Sequence, residues 1–194
     1  IAAEVYDHPS RDLNVIGITG TNGKTTVAHM LASMIDGADR VTAVVGTVSA
    51  NLGEDYVSPR TTPEASELQR TMRRLVDEGS ITDMAVEVSS HAIVMGRFNG
   101  VELDLVAFTN LSQDHLDYHQ TMEGYYRAKA GLFQRRWAPQ GVIWTDDEWG
   151  RRLLAETEIP VLTVGTGADA DFRVSYGSEG PEGSTFTLDS NEKT

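Results

Sequence analysis

Between Val15 and Thr26 an apolar run, Val15-Ile-Gly-Ile-Thr19, feeds directly into Gly20-Thr21-Asn22-Gly23-Lys24-Thr25-Thr26. These are residue types that hold the phosphates of a nucleotide. Glycines let the main chain approach phosphate oxygens, successive N–H groups make an anion-binding concavity, and a helix starting there aims its positive dipole end at the same point. Lys24 would lie against the outer phosphates and the Thr25 hydroxyl would reach a magnesium ion. The full P-loop pattern asks for a glycine five residues before Gly23, where this chain has Ile18. The match is therefore to a compact variant, Gly20-x-x-Gly-Lys-Thr25, and a glycine-rich strand-to-helix turn without a ligand is the competing explanation. Context favours the phosphate site, because Val27, Met30, Leu31, Met34 and Ile35 recur at helical spacing and Gly37 follows as a stop.

Two more polar clusters stand where apolar runs end, Glu87-Val-Ser-Ser-His91 and Thr109-Asn-Leu-Ser-Gln-Asp-His-Leu-Asp-Tyr-His119. A carboxylate at Glu87, just beyond Met84-Ala-Val86, is placed to hold phosphate-bound magnesium directly or through water; otherwise it is a solvated strand-end Glu. His115 and His119 lie four apart beside Asp114 and Asp117, a spacing that admits a transition metal. Against it, the chain has no cysteine and the segment reads as a loop, where His and Asp commonly cap the next helix. Ser89, Ser90 and His91 suggest a Ser/His nucleophile, but no Gly-x-Ser-x-Gly elbow surrounds them.

Elements with the right connectivity must bring these clusters together. Strands are expected at 14–19, 41–48, 81–88, 103–109, 141–145 and 160–164. The helix after residue 61 is signalled by Thr62 as N-cap, Pro63 at the first helical position and Ala65, Leu68, Met72, Leu75 and Val76 on one face, with Gly79 ending it. A polar loop is expected from Ser49 to Arg60. Thr121 caps a further helix carrying Tyr125, Ala128, Leu132 and Phe133, with Lys129 beside that stripe, and residues 147–156 form a short helix. This alternation predicts an α/β fold, a mostly parallel sheet with helices on both faces. Residues 171–188 switch to period two around a Gly/Pro/Ser turn, which predicts a terminal antiparallel hairpin. In such sheets ligands gather beyond the carboxyl ends of the strands, where all three clusters fall.

At 194 residues the chain suits one well-packed domain. A net charge of −13 argues against nucleic acid or an anionic membrane surface as the main partner. The lack of cysteine removes disulfides and thiolate catalysis and fits a reducing cytoplasm. No apolar run approaches the roughly 20 residues of a membrane span, no signal-peptide pattern opens the chain, and Ile1 in place of Met suggests part of something longer.

The chain resembles the central, ATP-binding domain of the Mur ligases, and among them the type that adds the third residue of the peptidoglycan stem peptide. The resemblance rests on Gly20 to Thr26, Arg60-Thr-Thr-Pro-Glu64, Glu87-Val-Ser-Ser-His-Ala92 with Arg97, Thr109 to His119, and Tyr126-Arg-Ala-Lys-Ala-Gly-Leu-Phe133, in the family's order. It implies that Gly20, Thr21, Asn22, Gly23, Lys24, Thr25 and Thr26 cradle ATP. Thr25, Glu87 and His115 would position Mg²⁺, and Thr61, Thr62, Ser89 and Arg97 would contact a UDP-N-acetylmuramoyl dipeptide. Lys129 matches the lysine such ligases carry as a carbamate, expected to approach Glu87 and His115. Adding CO₂ to a neutral amine makes an anion with two oxygens, suited to a hard cation. By the same resemblance Lys24, Glu87, His115 and Lys129 are the catalytic set, an amino acid is the second substrate, and a monomer is expected. Residues 1–13 are expected to link to an N-terminal domain, residues 14–194 to form the central domain, and the family's C-terminal, amino-acid-selecting domain to lie outside these residues. A folylpolyglutamate synthetase-like ligase and a nucleotide-binding module that ligates nothing remain as alternatives.

Overall fold

The computed structural model describes residues 1–36, 40–53, 60–181 and 183–191. The elements, in chain order, are α1 (Ala2–Val5), β1 (Asn14–Thr19), α2 (Lys24–Asp36), β2 (Thr42–Val45), α3 (Ala65–Glu78), β3 (Asp83–Glu87), α4 (Ser90–Val94), β4 (Leu105–Phe108), α5 (Leu116–His119), α6 (Met122–Ala130), β5 (Gly141–Trp144), α7 (Glu148–Glu156), β6 (Val161–Gly165), β7 (Phe172–Gly180) and β8 (Gly183–Ser190). They build one eight-stranded sheet in the order β2-β3-β1-β4-β5-β6-β7-β8. Every pairing is parallel except the last, β7 with β8. The expected α/β architecture with a terminal antiparallel hairpin is therefore what forms.

β3, a central strand, and β2, the edge strand beside it, are buried throughout, as strands covered on both faces should be. One face carries Leu68, Met72 and Leu75 of α3, Tyr125 and Tyr126 of α6 and Leu153 of α7, joined to Val15, Met84, Val86 and Val106 of the sheet. The other face is covered by α2 through Ala28 and Ala32, seated on Ile18, Val44 and Ala85.

That second face corrects the expected stripe on α2. Met30 and Met34 are exposed, and the packing side is Ala28 and Ala32 flanked by Val27 and Leu31. Small side chains let the helix lie close to the sheet, and the bulkier methionines turn to solvent. Gly37 lies outside the described residues, as does most of the expected loop before Arg60. The β2 strand stops at Val45 rather than Val48, because Gly46 turns away and Thr47 bonds to Glu87. Thr62 is not the N-cap of α3. The helix starts at Ala65, and the Thr62 hydroxyl is spent on the end of β3, donating to Glu87 O at 2.7 Å. Gly79 in the left-handed region does end α3. Thr121 does cap its helix, accepting from Gly124 N, while Asp147, expected as the first residue of its helix, is instead the N-cap of α7 and accepts from Gly150 N. The segment before β1 is less open than a polar lead-in: α1 packs on α3, and Ala3, Ser10 and Leu13 are buried.

Candidate functional site

β1, β3 and β4 lie side by side, so the loops after Thr19, Glu87 and Phe108 emerge together at the carboxyl edge of the sheet. Gly20 holds φ +144°, and a Cβ there would sit 2.0 Å from Thr109 Oγ1, so only glycine fits against the neighbouring loop. That neighbour fastens the turn. Thr21 N donates to Asn110 O at 2.9 Å, Asn22 N donates to Asn110 Oδ1 at 2.9 Å, and Thr109 Oγ1 donates to Asn22 O at 2.7 Å. The glycine turn is thus held in place by the loop after β4. Lys24 opens α2 and folds its Nζ back onto Thr21 O at 2.8 Å and Gly20 O at 3.1 Å. Burial lowers its pKa, with Glu87 and Asp114 pulling the other way.

Glu87 ends β3 with only 1% exposure. Its Oε1 accepts from Thr25 Oγ1 and from Thr47 N, both at 2.9 Å. A Cβ on Gly46 would fall 2.0 Å from that oxygen, so this glycine makes room for the carboxylate. Thr47 Oγ1 lies 3.5 Å from Glu87 Oε2 and 3.1 Å from Thr61 Oγ1, linking the carboxylate to the Arg60–Glu64 segment. Thr62 Oγ1 accepts from Ser89 N at 3.0 Å, and Ser89 caps α4 by accepting from Ala92 N. Arg97 Nε lies 3.1 Å from Glu64 Oε1 without hydrogen-bond alignment. Thr61, Thr62, Ser89 and Arg97 are therefore brought to one edge beside Glu87.

Lys129 differs most from its expected surroundings. A surface lysine was the plain alternative, yet this one is 1% exposed. Its Nζ donates to Gly20 O at 2.7 Å and lies 4.7 Å from the centre of the Tyr125 ring. Burial, then the charge of Lys24, pushes its pKa down to about 7, while Asp114 opposes them. Its hydrogen bond goes to the phosphate loop rather than to Glu87 or His115. His115 is half-exposed in the left-handed region, with Nε2 3.5 Å from Asp114 Oδ2. Its ring meets His91 edge-on at 4.9 Å and Tyr125 at 6.0 Å.

His91 meets both His115 and His119 edge-on, so the three rings form one cluster. Among the described residues no group of three or more His, Asp or Glu is placed to hold a metal, so the His115/His119 metal alternative finds no support in the arrangement. His119 Nε2 pairs with buried Ser90 Oγ at 2.8 Å, and His91 packs on Tyr118 at 4.2 Å. Burial lowers the pKa of both His91 and His119, and neighbouring His115 and His91 respectively add to it. The Ser/His hydrogen bond therefore joins buried Ser90 to half-buried His119, rather than either serine to His91. Two contributors escaped sequence reasoning. Thr47 was read as the end of a strand and Tyr125 as a core stripe residue, and neither spacing nor composition distinguishes such roles. Cavities of about 320 and 450 Å³ occur elsewhere, around Asp146 and Arg151 and around Gln134 and Glu158. The cluster itself is an open polar edge.

The site is a glycine turn pinned before a helix, with a lysine and a buried carboxylate at its mouth. The chain belongs to the Mur ligase family: residues 18–194 match the Mur ligase middle domain. It is 44% identical over 191 residues to the UDP-N-acetylmuramoyl-L-alanyl-D-glutamate--2,6-diaminopimelate ligase of Streptomyces avermitilis, covering 97% of this chain and 37% of that protein. The Geobacter sulfurreducens ligase of the same name is 42% identical over 198 residues, 96% of this chain and 39% of its own length. A solved structure of a ligase of that name superposes with TM-score 0.81 at 33% identity, over 93% of this chain and 38% of that one. A Mycobacterium tuberculosis folylpolyglutamate synthase complexed with ADP and AMPPCP shares the fold, TM-score 0.69 at 22% identity, over 96% of this chain and 50% of that one. The chain spans 37–39% of the length of the relatives named here.

Proposed function

We propose that this chain is the ATP-binding domain of a ligase that adds the third amino acid to UDP-N-acetylmuramoyl-L-Ala-D-Glu in the cytoplasm, a step of peptidoglycan precursor synthesis. The names of the similar ligases favour 2,6-diaminopimelate as that amino acid. The observation that carries the reading is the part-buried hydrogen bond from Thr25 to buried Glu87 at the mouth of the phosphate loop, with buried Lys129 donating to Gly20 O of the same loop. A module that only bound nucleotide would have no use for a second ionisable group buried against its phosphate loop.

The residues fit Mg-ATP. Hydroxyl and carboxylate oxygens of Thr25 and Glu87 are the hard donors that Mg²⁺ takes, with His115 at the rim. As a carbamate, Lys129 would add two more oxygens, and an amine with a pKa near 7 is neutral often enough to react with CO₂. ATP would supply the γ-phosphoryl group that converts the substrate carboxylate to an acyl phosphate with ADP as leaving group, and the incoming amine would displace inorganic phosphate, losing a proton, to form the amide. In this site Lys24 and the loop N–H groups from Gly20 to Thr26 hold and neutralise the transferring group by position and electrostatics. Thr61, Thr62, Ser89 and Arg97 orient the muramoyl dipeptide at the adjoining edge.

The test is ligation by the full gene product, followed by mass spectrometry with UDP-muramoyl dipeptide, ATP and diaminopimelate. Tripeptide product is expected, and Lys129→Ala should abolish it. Lys24→Ala in this chain should weaken Mg-ATP binding by about 10- to 100-fold in calorimetry, the loss of a charge-assisted contact. Hydrolysis of ATP without tripeptide, or glutamate addition to a folate, would overturn the assignment. Efficient ligation by the 194-residue chain alone would show that no further domain is needed.

A further inference from the structure

Tyr125 touches both halves of the site. Its side chain is 1% exposed, and it precedes Lys129 by one helical turn, so the two stand one above the other on the same face of α6. The ring lies against the lysine amine, 4.7 Å from centroid to Nζ. The hydroxyl shares a hydrogen bond with Thr21 Oγ1 at 3.2 Å, and Thr21 also accepts from Ser112 N at 3.0 Å. The ring further meets His119 at 5.1 Å and His115 at 6.0 Å. A tyrosine that served only as filler would satisfy its hydroxyl anywhere. Here the hydroxyl reaches the phosphate loop, and the ring face leaves Lys129 Nζ one polar direction, toward Gly20 O at 2.7 Å.

We propose that Tyr125 is a positioning residue that fixes the phosphate loop and Lys129 relative to each other, its hydroxyl on Thr21 and its ring against the lysine amine. The inference rests on Gly20–Thr26 being the nucleotide site. Two separable contributions follow. Loss of the hydroxyl alone removes one of the bonds that hold Thr21, leaving those to Asn110 and Ser112, and leaves Lys129 in place. Loss of the ring exposes the amine.

Calorimetric titration with Mg-ADP of the parent chain, Tyr125→Phe, Thr21→Val and the double variant tests the first contribution. Tyr125→Phe should weaken binding by about 2- to 10-fold, the net worth of one hydrogen bond. Its melting temperature should stay near the parent's, and the double variant should bind no more weakly than Thr21→Val alone. The second contribution is read by limited acetylation and mass spectrometry, since the lysines are only Lys24, Lys129 and Lys193. Lys129 should be protected in the parent and in Tyr125→Phe, and labelled in folded Tyr125→Leu. Parent-like affinity of Tyr125→Phe, multiplying losses in the double variant, or protected Lys129 in folded Tyr125→Leu would each overturn the proposal. If Tyr125→Leu does not fold, the Tyr125→Phe cycle decides alone. A parent chain that binds no Mg-ADP would instead refute the phosphate-site reading, and the labelling comparison would still judge the placement of Lys129.

Discussion

The carboxyl edge of β1, β3 and β4 and the terminal β7–β8 ribbon depart from the ordinary distribution of side chains in opposite directions. At the edge, Thr19, Thr62, Glu87, Ser90 and Lys129 are buried although polar or ionisable. On the ribbon, Tyr176, Phe186 and Leu188 are exposed although apolar, at 65%, 64% and 53%. The two anomalies have different costs. Burying a polar group unpaired is costly, and each of these five has a partner: Val88 O, Glu87 O, Thr25 and Thr47, His119, and Gly20 O. The ribbon is held by its backbone ladder, from Phe172↔Ser190 to Gly180↔Gly183, and exposed rings on it cost little. Dense, mutually satisfied burial of polar groups is therefore what singles this edge out as the candidate site, whereas an exposed apolar face marks nothing by itself.

The largest expected effect separates the two regions by backbone alone. Gly20→Ala would force a Cβ to 2.0 Å from Thr109 Oγ1 at φ +144°. Strain and overpacking together should cost about 2–4 kcal/mol in urea unfolding and should remove Mg-nucleotide binding. In the ribbon, Gly180→Ala meets nothing within 4 Å and should change stability by no more than about 0.5 kcal/mol. Equal losses at the two glycines would erase the contrast.

A second prediction concerns charge. Lys129 carries a pKa lowered from 10.5 to about 7 by burial, so folding must strip its proton or hold the cation unsolvated. The sign follows from proton counts: between these values the unfolded chain binds more protons, so stability rises with pH. Below about pH 7 the penalty is complete, and it vanishes as pH passes the ordinary lysine value. Lys129→Met removes the amine, so its stability advantage over the parent should be greatest near pH 6. It should shrink by about 1.4 kcal/mol per pH unit through the window. Urea unfolding of both proteins at about pH 6 and about pH 9 in CO₂-free buffer reads this. A constant difference would mean that the amine keeps access to water, and that this edge is no more demanding than the ribbon.

Much of this contrast was legible in the residues. The run from Val15 to Thr26, the cap Thr121 and the turn between β7 and β8 are local signals, carried by spacing and side-chain type over a few positions. The three polar clusters also met at one edge, because β1, β3 and β4 are neighbours in a parallel sheet. What was not legible depends on partners distant in sequence. Thr62 has every local mark of an N-cap, but a buried carbonyl 25 residues away competes for its hydroxyl. The α2 stripe was misplaced because hydrophobicity ranks Met above Ala, whereas packing a helix tightly on a sheet rewards the smaller side chain. Lys129 looks like any helical lysine until Gly20, 109 residues earlier, lends it a carbonyl.

The smallest expected effect is the most direct test of the lesson. Phe186 stands opposite Tyr176 on the ribbon, and both rings face solvent. If exposure there is merely tolerated, Phe186→Ser should leave unfolding free energy within about 0.5 kcal/mol of the parent, because little apolar area leaves or enters water. A modest decrease from losing one cross-strand aromatic pair falls inside that range. Mg-nucleotide affinity should not move at all, since the ribbon lies at the far end of the sheet order from β3, beyond β4, β5 and β6. A change of several-fold in affinity would show that the two regions communicate through the sheet. A stability loss well above 1 kcal/mol would show that Phe186 is covered in solution, and burial rather than pairing would then be what the two regions share.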